Sequence, residues 1–267
     1  MLDLSVIIVS WNTRDLLRGC LMSLQAHKPN PAEVIVIDNA SSDGSPDMIA
    51  REFPDVRLIR NTKNVGFARA SNQGIKVSQG QYIALLNSDT QVTAGALETL
   101  VAFMAETPAA GACGPRLLQP DGNPQPYTFG KDPTLLYLLH RCLQQVLFKR
   151  YLHDWATDAI QEVDWVSGAC LMLRREVIDQ VGLLDEHFFL YFEDNDWCLR
   201  IRKAGWKIYY NPRAEIIHFG GQSLFQNPAA QEAYYQSLRY FYTKHYGQLD
   251  VCLLDMMLPI YRMFVRR

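Results

Sequence analysis

The sequence predicts an α/β fold built on a largely parallel sheet, and three observations carry that prediction. Short β-branched runs alternate with stretches whose leucines recur at helical spacing, as in βαβ units. Tyr82-Ile83-Ala84-Leu85-Leu86 is apolar without alternation, the pattern of a strand covered on both faces. That run ends in Asn87-Ser88-Asp89, and in open parallel sheets the ligand crevice lies beyond the carboxyl ends of the strands. A lone aspartate there can equally cap the next helix, so its meaning depends on its company.

The elements follow in order. Residues 5–10 form a β-branched run, broken by Trp11-Asn12-Thr13, and Leu16, Leu17, Leu21 and Leu24 mark a helix after it. Residues 33–37 are a second strand, closed by Asp38-Asn39-Ala40-Ser41-Ser42-Asp43-Gly44, whose residues turn the chain and cap a helix after Ser45. A short strand over 56–60, a polar loop over 61–66 and a helix over 67–78 lead to the central strand over 81–86. A helix over 94–106 and a strand over 111–118 come next, followed by an irregular region marked by Pro120, Gly122, Pro124 and Pro126.

Residues 135–152 predict a basic amphipathic helix, apolar at 135, 138, 139, 142, 143, 146 and 147, with His140, Arg141, Gln144, Gln145, Lys149 and Arg150 opposite. Such a helix fits either packing on the domain or resting on a membrane surface. Residues 163–173 read as one strand containing Gly168-Ala169, where minimal side chains let a ligand approach the backbone. After a short helix over 176–181, an aromatic run over 188–192 leads into a helix whose first turn carries Glu193, Asp194 and Asp196. Residues 207–210 and 214–218 are expected as the last strands, ending at His218-Phe219-Gly220-Gly221. An aromatic helix over 234–246 and an apolar, arginine-ended tail over 253–267 close the chain.

A length of 267 residues accommodates one large domain with an appendage. The net charge of -2 gives no global field for nucleic acid, so any polyanion site must be local. The cysteines at 20, 113, 142, 170, 198 and 252 form no CxxC pair and no zinc spacing, and are expected to be reduced, buried thiols. The first residues lack the basic and apolar regions of a signal peptide, and no apolar run approaches the roughly 18 residues of a spanning helix. The expected location is cytoplasmic.

Asp38 and Asp89 both close strands on the same rim, which makes a ligand site the better reading of either. A nucleoside diphosphate sugar brings roughly two negative charges to acidic loops, an encounter that calls for a divalent cation between them. Asp89 and His218 are candidate ligands; carboxylate oxygen suits Mg²⁺ and Mn²⁺, and an imidazole tilts the choice to Mn²⁺. Sugar transfer also needs a base for the acceptor hydroxyl, and the Glu193-Asp194-Asn195-Asp196 cluster offers one, with neighbouring charge raising its pKa.

Six segments in register extend these readings: residues 5–12, 36–44, 61–68, 85–89, 192–196 and 218–221. Together they resemble family 2 glycosyltransferases of the GT-A fold, in particular the bacterial rhamnosyltransferase-like branch. The resemblance implies a Rossmann-like GT-A domain over 1–225, with a nucleotide-binding part to about 118, an acceptor-binding part over about 119–225 and a helical appendage over 226–267. It implies that Asp38 reads base and ribose, with the backbone near Val9 and Trp11 lining the pocket and Asn64, Gly66 and Asn72 near the donor. Asn87, Ser88 and Asp89 stand where such enzymes carry an Asp-x-Asp motif, with Asn87 replacing its first acid. Asp89 and His218 inherit the metal, Asp194 the role of catalytic base, and Trp165, Gly168, Ala169, Glu193 and Asp196 the border of acceptor or sugar.

The implied activity is inverting transfer of a hexose or deoxyhexose, in particular rhamnose, in cell-surface polysaccharide synthesis. The donor is a dTDP-, UDP- or GDP-sugar, the acceptor a glycan or lipid-linked glycan, and the ion Mn²⁺ or Mg²⁺. The basic helix and tail add an expected peripheral contact with the inner face of the cytoplasmic membrane. A nucleotidyltransferase would need a glycine-rich basic loop early in the chain, and a dinucleotide oxidoreductase a GxGxxG after the first strand; neither is present. A non-catalytic carbohydrate-binding protein stays open at this stage.

Overall fold

The computed structural model describes residues 3–30, 32–150, 152–220 and 228–265. Its centre is a nine-stranded sheet among the described residues, in the order β3-β2-β1-β4-β10-β6-β11-β5, with β8 beside β11. The first strands are β1 (Leu4–Ser10), β2 (Ala32–Asp38), β3 (Arg57–Arg60) and β4 (Tyr82–Asn87), all parallel. Then come β5 (Thr90–Val92), β6 (Ala110–Leu118), β8 (Gln161–Val163), β10 (Cys170–Arg174) and β11 (Lys207–His218). β6 and β11 run with the first four, while β10, β8 and β5 run against them. The small strands β7 (Phe129–Gly130) and β9 (Trp165–Val166) pair apart from the main sheet.

Alternation along the strands divides the core. Leu4, Val6 and Ile8 of β1 and Tyr82, Ala84 and Leu86 of β4 face one layer, with α1 (Arg14–His27), α2 (Ser45–Glu52) and α4 (Ala96–Glu106). Ile7, Ile83 and Leu85 face the other, with α3 (Phe67–Val77), α6 (Arg175–Val181) and α7 (Glu193–Lys203). Cys20, Cys113, Cys170 and Cys198 are buried free thiols, as expected, whereas Cys142 is half-buried and Cys252 exposed.

Four details depart from the sequence reading. The stretch 163–173 is three strands separated by turns, because Ser167 N–H bonds back to Thr128 O at 2.8 Å and carries Gly168 out of the ladder. Residues 207–218 are one strand whose register against β6 shifts between Asn211 and Glu215, beside Pro115, which has no N–H for the ladder. The helix α5 (Leu135–Phe148) stops short of 152, at a left-handed Lys149. Its apolar residues also do not all turn inward: Leu138 is buried, but Leu139, Leu143 and Leu147 are exposed.

A third core cluster joins α5 to the last helices, α8 (Pro228–His245) and α9 (Gln248–Val265), through Leu138, Leu238, Phe241, Tyr242, Leu254 and Leu258. Phe188 and Phe192 insert into the same cluster, so these helices brace the segment that leads into α7. Among the described residues, no helix is long and apolar enough to cross a membrane. Gly221 and the two terminal arginines lie outside the described residues.

Candidate active site

Sheet register builds the first half of the site. β1, β2 and β4 end side by side, with Ser10 opposite Asp38 and Val9 opposite Asn87. Their loops interlock: Asn12 Oδ1 accepts from Ser42 N–H at 2.8 Å, and Arg14 N–H donates to Asp43 at 2.8 Å. The Thr13 hydroxyl lies 2.9 Å from that of Ser88, tying the first loop to the end of β4. Trp11 is exposed at this rim, and the Val9 side chain packs on the core.

Asp38 is buried, and only one of its oxygens is satisfied, by Ser41 N–H at 3.1 Å. Its Oδ1 has no hydrogen-bond partner, an acceptor that a ligand donor would satisfy. Next to it, Asn39 clamps the loop over 61–66: its amide donates to Asn64 Oδ1 at 2.9 Å, and its oxygen accepts from Val65 N–H at 3.1 Å. Gly66 completes this loop at φ 86°, where an added Cβ would stand 2.8 Å from Phe189 O. Only glycine satisfies both the dihedral and that approach.

Asp89 and His218 meet because β5 begins one residue after Asp89 and pairs with the end of β11, His218 opposite Thr90. His218 Nε2 lies 3.3 Å from Asp89 Oδ1. On the other side of the ring, Nδ1 is 2.8 Å from Gln125 Oε1, a contact that holds the ring with Nε2 toward Asp89. Adjacent ligands of an octahedral ion with bonds of about 2.1 Å stand about 3 Å apart, close to the separation found. Gly220 borders the pair, and a Cβ there would collide with His218 Nε2 and fall 3.1 Å from Asp89 Oδ2. The two side chains therefore fit a shared divalent cation. Among the described residues no third His, Cys, Asp or Glu joins them.

The second half of the site arrives from β10 and α7. β10 runs against β4, so the turn before it sits at the carboxyl end of β4, where Asn87 N–H donates to Ala169 O at 2.9 Å. The neighbouring Gly168 N–H donates to Asp194 Oδ2 at 2.9 Å, and Asn195 N–H to Asp194 Oδ1 at 2.8 Å. This chain of contacts brings Asp194 to the same rim as Asn87 and the Asp89–His218 pair. A Cβ on Gly168 would stand 3.6 Å from Asp194 Oδ2, so its bareness keeps the carboxylate uncovered.

Two consecutive left-handed residues, Tyr191 at φ 68° and Phe192 at φ 65°, set the angle at which α7 begins. Each costs about 1–2 kcal/mol, and burial of Phe192 against Tyr234 and Phe241 of α8 opposes that cost. Burial raises the Asp194 pKa, while the N–H groups of Gly168 and Asn195 pull it back. Burial and then the Asp194 charge push Glu193 well above the ordinary range, and its Oε2 is buried without a partner. Both carboxyls are thus pushed upward, Glu193 by burial with no hydrogen bond to its Oε2, while Asp194 is half-buried and held by two N–H groups.

Three expected site residues are engaged elsewhere. Asn72 is buried and spends its amide on Leu184, donating to its carbonyl at 2.9 Å and accepting from its N–H at 3.1 Å. Asp196 is fully buried on Arg200, Lys244 and His245, at 2.9, 2.7 and 2.7 Å, so it latches α8 to α7 instead of meeting an acceptor. Trp165 donates to Lys131 O at 3.0 Å within the β7–β9 pair. The sequence reading missed Gln125, Asn39 and β5. The three residues of β5 are too few to show a period, and nothing local marks Gln125.

The model of the family described as Glycosyl transferase family 2 matches residues 5–182. N-acetylglucosaminyl-diphospho-decaprenol L-rhamnosyltransferase of Mycobacterium tuberculosis is 31% identical over 258 residues, covering 90% of this chain and 83% of its own length. The dTDP-rhamnosyl transferase RfbF of Shigella flexneri is 26% identical, covering 81% of this chain and 69% of its own. A mannosyltransferase of Pyrobaculum calidifontis, solved with GDP-Man and Mn²⁺, aligns with a TM-score of 0.63 at 20% identity, covering 91% of this chain and 63% of its own. That last likeness is one of fold. Matched across most of its length and carrying this rim of strand-end loops, the chain belongs to glycosyl transferase family 2 and is a glycosyltransferase of the GT-A fold.

Proposed function

We propose that the enzyme transfers a hexose or deoxyhexose, in particular rhamnose, from a nucleoside diphosphate sugar to a lipid-linked glycan, inverting the anomeric centre. The observation that carries this reading is the hold of Gly168 N–H on Asp194 at the rim that also bears the Asp89–His218 pair. The names of the relatives support the sugar and the acceptor class; the nucleotide is dTDP, UDP or GDP.

In this reading residues 1 to about 118 are the nucleotide-binding part, about 119–225 the acceptor-binding part and 226–267 the helical appendage. Asp38 Oδ1 accepts from the base or ribose, and the backbone of Val9 and Trp11, with Asn64 and Gly66, encloses the nucleotide. Asp89 and His218 would hold a divalent cation, next to Asn87 and Ser88 in the chain. That ion, when bound, neutralises charge developing on the diphosphate oxygen as it leaves. Asp194 takes the proton of the acceptor hydroxyl as its oxygen attacks the anomeric carbon and the bond to diphosphate breaks. Burial disfavours a second charge on Glu193 beside that base.

A panel of dTDP-, UDP- and GDP-sugars with a polyprenyl diphosphate glycan acceptor tests this reading. Nucleoside diphosphate release should need both acceptor and Mn²⁺ or Mg²⁺, and the product should carry the anomeric configuration opposite to the donor's. Retained configuration, or undiminished transfer in excess chelator, would overturn it.

A further inference from the structure

The most solvent-facing side of α5 is apolar. Leu136 is 78% exposed, Leu147 65% and Phe148 61%, and Leu143 lies on the same stripe. α9 packs against α5 and repeats the pattern, with Leu249 80% and Met256 64% exposed. Helices that cover a core turn such residues inward, so this face is built to be covered by something else.

Charge indicates what covers it. Residues 135–150 carry His140, Arg141, Lys149 and Arg150 and no carboxylate, and Lys149 and Arg150 are exposed beside Leu147 and Phe148. The exposed carboxylate of α9, Asp255, is paired with Arg239. Apolar residues flanked by basic ones suit a surface of acyl chains beneath anionic headgroups.

We propose that α5 and α9 form one docking face for an anionic lipid bilayer. This rests on the lipid-linked acceptor of the reading above, and it adds the surface and the orientation. Leu138 of α5 and Leu254 of α9 share a core with Phe188 and Phe192, the segment that runs directly into Glu193 and Asp194. Docking on this face thus holds the base side of the site near the membrane.

Flotation of the full chain with vesicles tests the face. The wild type should float with phosphatidylglycerol vesicles at least tenfold more than with phosphatidylcholine vesicles. The double variants Leu136→Glu/Leu147→Glu and Leu249→Glu/Met256→Glu should each lose at least tenfold in flotation. The variant Lys149→Ala/Arg150→Ala should lose the preference for phosphatidylglycerol. Transfer to a water-soluble acceptor, measured in parallel, should stay within twofold in all three, and it reports separately on the proposed function. A wild type that stays at the bottom of the gradient overturns the docking face. So does light scattering that shows a wild-type dimer turned monomeric by the leucine substitutions.

Discussion

The pair Asp89–His218 and the carboxylate of Asp194 stand at one rim but are held there differently. The first rests on backbone ladders: β5 pairs with β11, and one residue of register fixes where the imidazole falls. The second rests on a turn, two left-handed residues and helices from the end of the chain. Ladder-held groups tolerate loss of a neighbour, whereas a group placed by loops and side-chain latches depends on residues far from it.

Removing each half should separate the two. Asp89→Ala takes away the carboxylate that fits the cation, and transfer should fall by about 10³-fold in steady-state assays, the several kcal/mol typical of metal stabilisation. The fold should be unaffected, with an unchanged melting temperature. Asp196→Ala should do the reverse. It leaves Arg200, Lys244 and His245 without their shared acceptor and should cost about 3–5 kcal/mol, read as a lower Tm, while the folded fraction still binds donor.

Asp196 also gives that latch a pH signature. Burial works to raise its pKa, but His245, Arg200 and Lys244 outweigh it and hold the carboxyl below the ordinary value. A depressed folded-state pKa adds stability that is present above the unfolded value and lost as pH falls through the folded one. Acid unfolding of the wild type should therefore steepen below about pH 4, and in Asp196→Asn that component should be absent.

Smaller changes sharpen the contrast. Gln125→Leu frees His218 Nδ1 from its partner and should weaken Mn²⁺ binding by about 10–100-fold in calorimetric titration, with Tm unchanged. Gly66→Ala forces a Cβ against Phe189 O, and the strain of about 1–3 kcal/mol should appear as a raised KM for donor. The smallest effect belongs to Glu193→Gln: burial already disfavours the charged form of Glu193, and the rate should change less than about threefold on a scale where tenfold is 1.4 kcal/mol.

Much of the ladder-held half was legible in the sequence. β1, β2 and β4 announce themselves by unbroken apolar runs, and Asp38 and Asp89 by closing two of them. β5 was not legible, because three residues show no period, and it is β5 that sets His218 beside Asp89. Gln125 sits in a proline-rich segment without periodicity, 93 residues from the histidine it orients. The acidic cluster was visible as a cluster, but its division of labour was not: Asp194 meets Gly168 while Asp196 turns to a histidine 49 residues later. Helical period likewise marked α5 as amphipathic without saying which of its leucines meet solvent.

The most direct test of the two-part site is Asp194→Asn, with donor binding and turnover measured on the same protein. Burial places the Asp194 pKa above the ordinary range, and the protonated form cannot take a proton, so wild-type turnover should be lost as pH falls through that raised value. In the variant, turnover should drop by about 10²–10⁴-fold and that acid limb should vanish, with the donor Kd unchanged. Turnover within a few-fold of wild type, or an acid limb that persists in the variant, would contradict the account.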